Sequence, residues 1–94
     1  MTHILPSGSY LRCSHSQAPR QNEAVLVSLC ERYSLGPPEA ARRIWELLET
    51  PQTVETLCRV LAREYSLPRS CGPQIRSFLG DLYERNLIQV SPDT

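Results

Sequence analysis

The stretch ARRIWELLETPQTVETL, residues 41–57, runs from one amphipathic segment through a Thr-Pro-Gln-Thr break into a second one. The apolar residues before the break recur at helical spacing and predict a first helix over residues 38–49. Pro38 suits the first turn of this helix, where a missing N–H costs nothing, and Pro51 ends it. The apolar stripe consists of Ala40, Ala41, Ile44, Trp45, Leu47 and Leu48. Trp45, the only tryptophan, is therefore interpreted as a core anchor.

A second amphipathic helix is predicted directly after the break. Thr53 is a good N-cap because its hydroxyl can accept a hydrogen bond from a backbone N–H of the first turn. Glu55 in that turn interacts favourably with the helix dipole. The apolar residues of the segment recur at strongly helical offsets: Val54, Leu57, Cys58, Leu61, Ala62 and Tyr65.

A third helix is predicted over residues 73–85. Its buried stripe is expected to contain Ile75, Phe78, Leu79 and Leu82. Asn86 stands where a left-handed C-terminal cap is expected, and asparagine tolerates that conformation better than most residues.

Strands are predicted at both ends of the chain and before the first helix. Residues 10–14 and 87–90 are short extended candidates, and the β-branched, apolar run AVLVSL at residues 24–29 is the clearest predicted strand. Residues 33–36 would pair back on it as a hairpin. The prediction is a small α+β, winged-helix-like domain with a three-stranded N-terminal antiparallel sheet packed on three helices. It spans residues 10–90, with flexible termini at residues 1–9 and 91–94.

The charge balance argues against nucleic-acid binding. The 94 residues contain ten arginines, no lysine and ten acidic residues, for a formal net charge of zero. A protein that binds phosphate backbones usually carries a basic excess. The polar face of the third predicted helix is also nearly neutral: Gln74, Arg76, Ser77, Asp81, Glu84 and Arg85. A winged-helix DNA-binding regulator is therefore an alternative rather than the first hypothesis.

No catalytic, cofactor or metal motif stands out in the sequence. Cys13 and His15 are the only nucleophile–base candidate, and they are more simply two unrelated residues near the N-terminus. The four cysteines form no C-x-x-C pair, which argues against zinc. Without a signal peptide or an apolar run of about 20 residues, a cytoplasmic protein with reduced thiols is expected. The sequence thus predicts a non-enzyme with no cofactor, no metal and no membrane partner.

Peptide binding is the remaining class of function. The hairpin strand at residues 33–36 would form a sheet edge, whose unpaired N–H and C=O groups can accept an added strand. The third predicted helix would flank the cleft through Arg76, Gly80 and Tyr83, which lie at successive offsets of four and three. Gly80 costs about 1 kcal/mol relative to alanine within a helix. Close approach of a peptide or simple helix packing would each account for it.

Three segments together resemble a known family. RRIWELLE, TVETLCRVLAREYSL and IRSFLGDLYERNLI, in this order and spacing, are similar to the PqqD-like domains. These are also called recognition elements of ribosomally synthesised and post-translationally modified peptides (RiPPs). The resemblance covers residues 24–88 and is strongest to the discrete proteins of lasso-peptide biosynthesis. Counted back from the first helix, Ser28 replaces an acidic residue, Arg32 a glycine and Pro37-Pro38 a Leu-Asn pair, while Asn86 replaces a glycine.

The resemblance implies a non-catalytic domain that binds the leader segment of a precursor peptide. The leader is expected to add a β-strand and then to be presented to a leader peptidase and an ATP-dependent macrolactam synthetase. A PqqD-type peptide chaperone in cofactor biosynthesis is a further alternative. The expected backbone contacts are Tyr33, Ser34, Leu35 and Gly36. The expected side-chain contacts are Leu29, Leu79, Gly80 and Tyr83 in an apolar pocket, with Arg76 facing an acid of the leader.

Overall fold

Helices dominate the architecture, with one small sheet. A computed structural model describes residues 8–13 and 19–91. Over these residues the fold is α+β, as predicted, with four α-helices and a two-stranded antiparallel sheet. The elements in chain order are β1 (Ser9–Arg12), α1 (Pro19–Arg32), α2 (Pro38–Leu47), α3 (Val54–Tyr65), a 3₁₀ turn (Arg69–Cys71), α4 (Gly72–Glu84) and β2 (Ile88–Ser91).

The predicted hairpin of residues 24–29 and 33–36 is wrong, because residues 24–29 lie within α1. Leu26, Leu29 and Cys30 are buried at helical offsets of zero, three and four. A short continuous apolar run is compatible with a buried strand or a helix, and periodicity alone does not separate the two. Residues 30–32 also contain no glycine or asparagine to form a tight hairpin turn.

The predicted three-stranded N-terminal sheet is therefore also wrong. The observed sheet pairs the beginning of the domain with its end, in a register that runs from Ser9 opposite Ser91 to Arg12 opposite Ile88. The short strands predicted at residues 10–14 and 87–90 are confirmed with shifted ends. Ser9 and Ser91 were assigned to flexible termini, but they pair with each other in the sheet. Apart from Gly8, the other residues assigned to the termini lie outside the described ranges.

The three predicted amphipathic helices are confirmed as α2, α3 and α4. Thr53 caps α3, since its Oγ1 accepts a hydrogen bond of 3.2 Å from the backbone N–H of Thr56. Asn86 adopts the predicted left-handed conformation with φ of 62°. The N–H of Leu87 then donates to the carbonyl of Leu82 at 3.0 Å, which closes the end of α4 and turns the chain into β2.

The core lies where the helices meet one face of the sheet. Trp45 is 4% exposed, which confirms it as a core residue, and the guanidinium of Arg12 lies 5.5 Å from the centre of its ring. Other large side chains that are fully buried include Tyr10, Phe78, Leu35, Ile44, Leu48, Leu57, Leu61, Ile75, Leu79, Leu82 and Ile88. Within the described ranges, no helix combines the length and apolarity that crossing a membrane requires.

Candidate peptide-binding site

The segment predicted as a sheet edge, residues 33–36, is the turn that ends α1. The N–H of Tyr33 donates to the carbonyl of Leu29 at 3.0 Å, and the N–H of Leu35 donates to that of Cys30 at 3.0 Å. Ser34 is left-handed, with φ of 56°. Because these backbone donors already serve the end of α1, they are not available to an added strand.

The side chains predicted to surround the peptide are divided between the core and the surface. Leu29 and Leu79 are buried in the core, and Gly80 is buried within α4. Arg76 is exposed and Tyr83 is half-buried. The structure therefore does not assemble the predicted set into one open pocket, and the role of each residue as a peptide contact stays a prediction.

A polar network joins the end of α1 to the middle of α4. The phenol of Tyr33 donates a hydrogen bond of 3.0 Å to Oδ2 of Asp81, and Nε of Arg85 donates one of 2.7 Å to Oδ1. Asp81 is only 5% exposed, so its carboxylate depends on these donors. Burial raises the pKa of the Tyr33 phenol, and the hydrogen bond to Asp81 raises it further. Asp81, predicted from sequence to lie on the polar face, is a structural residue.

One edge of the observed sheet is already covered. Tyr10 exchanges two backbone hydrogen bonds with Gln52, of 2.8 and 2.9 Å, and the N–H of Arg12 donates to the carbonyl of Leu48 at 2.8 Å. The connection between α2 and α3 thus occupies the outer edge of β1. Backbone N–H and C=O groups alternate in direction along a strand. The backbone groups of the β1 residues on either side of Tyr10 therefore point towards β2.

The outer edge of β2 is open. The register places Leu11 opposite Gln89 and Ser9 opposite Ser91, so Gln89 and Ser91 face β1. Ile88 and Val90 consequently direct their N–H and C=O groups away from β1. These groups meet no hydrogen-bond partner within residues 8–13 and 19–91.

A shallow groove of about 730 Å³ runs along this open edge. The residues that line it come from the end of α4, from β2 and from the residue after β1: Cys13, Tyr83, Glu84, Asn86, Ile88, Gln89 and Val90. Burial raises the pKa of the Cys13 thiol, which keeps it protonated near neutral pH. Of these residues, Tyr83 was predicted from the sequence as a peptide contact. The short apolar run at residues 87–90 was the available sign of this strand, but it does not reveal which edge of the sheet is unpaired.

The thiols form no metal centre in the described ranges. No group of three or more histidine, cysteine, aspartate or glutamate side chains suited to a metal ion occurs there. Burial raises the pKa of Cys58 to about 11, and the thiol of Cys71 beside it adds to the effect. His15, the candidate partner of Cys13 in the only nucleophile pair, lies outside the described residues.

A small α+β domain with an unpaired strand edge beside a groove belongs to the class of domains that can accept an extended peptide. This chain belongs to the PqqD family: the family model described as "Coenzyme PQQ synthesis protein D (PqqD)" matches residues 23–88, more than two thirds of its length. The resemblance seen in the sequence is thereby confirmed. Proteins of this family are non-catalytic, peptide-binding accessory proteins of RiPP biosynthesis. No curated protein and no solved structure matches the chain significantly.

Proposed function

We propose that this protein is a cytoplasmic, non-catalytic adaptor that binds the leader segment of a ribosomally synthesised precursor peptide. It presents the precursor to a leader peptidase and to an ATP-dependent macrolactam synthetase, as required for a lasso peptide. The observation that carries the proposal is membership of the PqqD family over residues 23–88. The open edge of β2 supports it, because an extended peptide can satisfy such an edge with main-chain hydrogen bonds.

The polar surface of α4 favours a peptide over DNA as the partner. Arg85 forms an ion pair of 2.7 Å with Asp81. One of the two arginines in and next to α4 is thus already paired with an acid. A chain of zero net charge then presents little basic surface to a phosphate backbone. The charge balance therefore disfavours the DNA-binding alternative.

A peptide chaperone in cofactor biosynthesis is the second candidate, and the description of the matching family favours it. Both candidates bind a precursor peptide, but they deliver it to different enzymes. The identity of the enzyme that the protein stimulates distinguishes the two candidate functions. An adaptor of lasso biosynthesis accelerates cleavage of its precursor by a transglutaminase-like leader peptidase, whereas a chaperone of cofactor synthesis stimulates a radical enzyme.

The direct test is a titration of the full chain with the synthetic leader of the precursor encoded beside its gene. We expect saturable binding with a Kd below about 100 μM, equivalent to a free energy stronger than about −5.5 kcal/mol. A scrambled peptide of identical composition is the matched control. Equal binding of the two peptides, or no binding of the leader in this range, would contradict the proposed function.

A further inference from the structure

We infer that Cys58 and Cys71 form a redox-active dithiol, which hydrogen peroxide converts into an intramolecular disulfide between α3 and the start of α4. The inference does not depend on the proposed function. Cys58 lies on α3, and Cys71 lies in the 3₁₀ turn directly before α4. The end of α3 and a short loop separate the two residues in the sequence, and the fold brings their thiols together.

Two contacts place the thiols side by side. The thiol of Cys58 is hydrogen-bonded to that of Cys71. A Cβ atom placed on Gly72, the residue after Cys71, would lie 3.7 Å from Sγ of Cys58. The backbone of the turn therefore lies beside the Cys58 sulfur. A disulfide requires the two sulfurs to approach to about 2 Å, and thiols already in hydrogen-bond contact reach that distance by side-chain rotation and a small shift of the turn.

The other two cysteines have different surroundings. Cys30 is buried on α1, and its thiol donates to the carbonyl oxygens of Gly36 and Pro37, at 3.6 and 3.3 Å. Cys13 follows β1 and lines the groove beside β2. The fold thus selects one neighbouring pair from the four free thiols.

Access makes Cys58 the thiol that meets the oxidant. Cys58 is half-buried, whereas Cys71 is only 4% exposed. Burial and the neighbouring Cys71 thiol raise the pKa of Cys58 to about 11, so Cys58 is protonated at neutral pH. Because the thiolate is the reactive form, the pair stays reduced in a reducing environment and reacts slowly, under sustained exposure to peroxide.

The reaction balances with hydrogen peroxide as the two-electron oxidant. The Cys58 thiolate attacks one peroxide oxygen and the O–O bond breaks, which leaves a sulfenic acid on Cys58 and a hydroxide that takes up the thiol proton. Sγ of Cys71 then attacks the sulfenic sulfur and the S–O bond breaks. The departing hydroxide takes up the Cys71 proton and leaves as water. Two thiols and one peroxide thereby give one disulfide and two waters.

The disulfide closes the loop that joins α3 to α4. Closing a loop restricts the unfolded chain, so the oxidised protein should unfold at a higher urea concentration than the reduced protein. The bond lies at the start of α4, whereas the groove lies beside the end of this helix. Oxidation therefore stabilises the domain without covering the groove.

Tryptic peptide mapping tests the pairing, because cleavage after arginine places each cysteine in a different peptide. Cys58 lies in the peptide of residues 44–59 and Cys71 in that of residues 70–76. The full chain is treated with hydrogen peroxide, and its remaining thiols are blocked with iodoacetamide. We expect these two peptides to be joined by a bond that dithiothreitol breaks. Cys13→Ser is the matched control and should give the same linked product.

The outcomes decide the inference whether or not a variant folds, since the wild type alone supplies the main result. Linked peptides from a monomer, with a higher urea midpoint for the oxidised protein, would support it. Peroxide-treated protein in which Cys58 and Cys71 stay free, or are oxidised singly, would overturn it. A bond to Cys13 or Cys30, a bond between two molecules, or an oxidised protein less stable than the reduced one would also overturn it.

Discussion

The phenol of Tyr33 donates a 3.0 Å hydrogen bond to the buried carboxylate of Asp81, 48 residues further along the chain. The bond fixes the end of α1 against the middle of α4. The residue predicted to present a strand edge therefore forms a helix–helix contact.

Replacing Tyr33 by phenylalanine removes this hydrogen bond without removing the ring. Because Asp81 is buried and charged, we expect the free energy of unfolding in urea to fall by roughly 1.5–3 kcal/mol. Tyr65→Phe is the control: its hydroxyl makes an exposed 3.3 Å hydrogen bond to the carbonyl of Glu39, and we expect a change within about 0.5 kcal/mol. Equal effects of the two substitutions would contradict the importance of the Tyr33–Asp81 contact.

The protein is expected to lose stability in alkaline solution. Burial, with the neighbouring Cys71 thiol, raises the pKa of Cys58 from 9.0 to about 11. The folded state therefore retains a proton that the unfolded chain releases, and the free energy of unfolding falls as the pH rises. The contribution of Cys58 is fully present below pH 9 and is lost between pH 9 and about 11.

Urea denaturation under reducing conditions across this pH range measures the effect. We expect Cys58→Ala to show a shallower loss of stability between pH 9 and 11 than the wild type. The raised pKa values of Tyr10 and Tyr33, due first to burial, add a decline above pH 10 that both proteins share. Identical slopes for the two proteins between pH 9 and 10 would show that Cys58 is not the titrating group.

Replacing Leu35 tests whether its segment forms a turn packed on the core or an exposed sheet edge. Its side chain is fully buried, so Leu35→Ala should lower the free energy of unfolding by roughly 2–5 kcal/mol. Ser34→Gly in the same turn should be neutral or stabilising, because Ser34 has a left-handed φ of 56° that glycine adopts at no steric cost. A Leu35→Ala protein of wild-type stability in chemical denaturation would be incompatible with this turn.

The N-cap of α3 can be tested in the same way. Thr53→Ala removes the acceptor for the N–H of Thr56 and should cost about 1 kcal/mol in the free energy of unfolding. Thr53→Ser keeps the hydroxyl and should retain most of the stability. If both variants unfold at the same urea concentration as the wild type, the cap is energetically unimportant.

The sequence predicts the C-terminal half of the fold well because its signals are local. The stripe around Trp45, the Thr53 cap and the left-handed Asn86 each depend on neighbours within one or two helical turns. Helical periodicity and capping chemistry suffice to locate α2, α3 and α4.

Residues 24–36 were mispredicted because their sequence signals are ambiguous. The run at residues 24–29 is apolar on consecutive positions, and its β-branched residues favour a strand. In the structure, packing of α1 on α2 overrides that preference and buries Leu26 and Leu29. The departures from the family pattern at Ser28 and Arg32 were the local sign that the hairpin was not encoded in the usual way.

The open strand edge of the structure is not the one predicted from the sequence, and the peptide contacts stay predictions. An open strand edge beside the last helix was expected, and Tyr83 was expected to line it. The open edge belongs to β2 because backbone hydrogen bonds from Gln52 and Leu48 cover the edge of β1. These contacts join residues about 40 positions apart, and no local sequence pattern predicts them.

The central claim, that the protein binds an extended leader peptide at an open strand edge, is tested most directly by amide hydrogen exchange of the full chain with and without the leader. In the free protein, the Ile88 and Val90 amides should exchange fast and the Leu35 amide, bonded to Cys30, slowly. Saturating leader should protect Ile88 and Val90 and leave Leu35 unchanged. Ile88 and Val90 amides that stay unprotected at saturating leader would contradict the account.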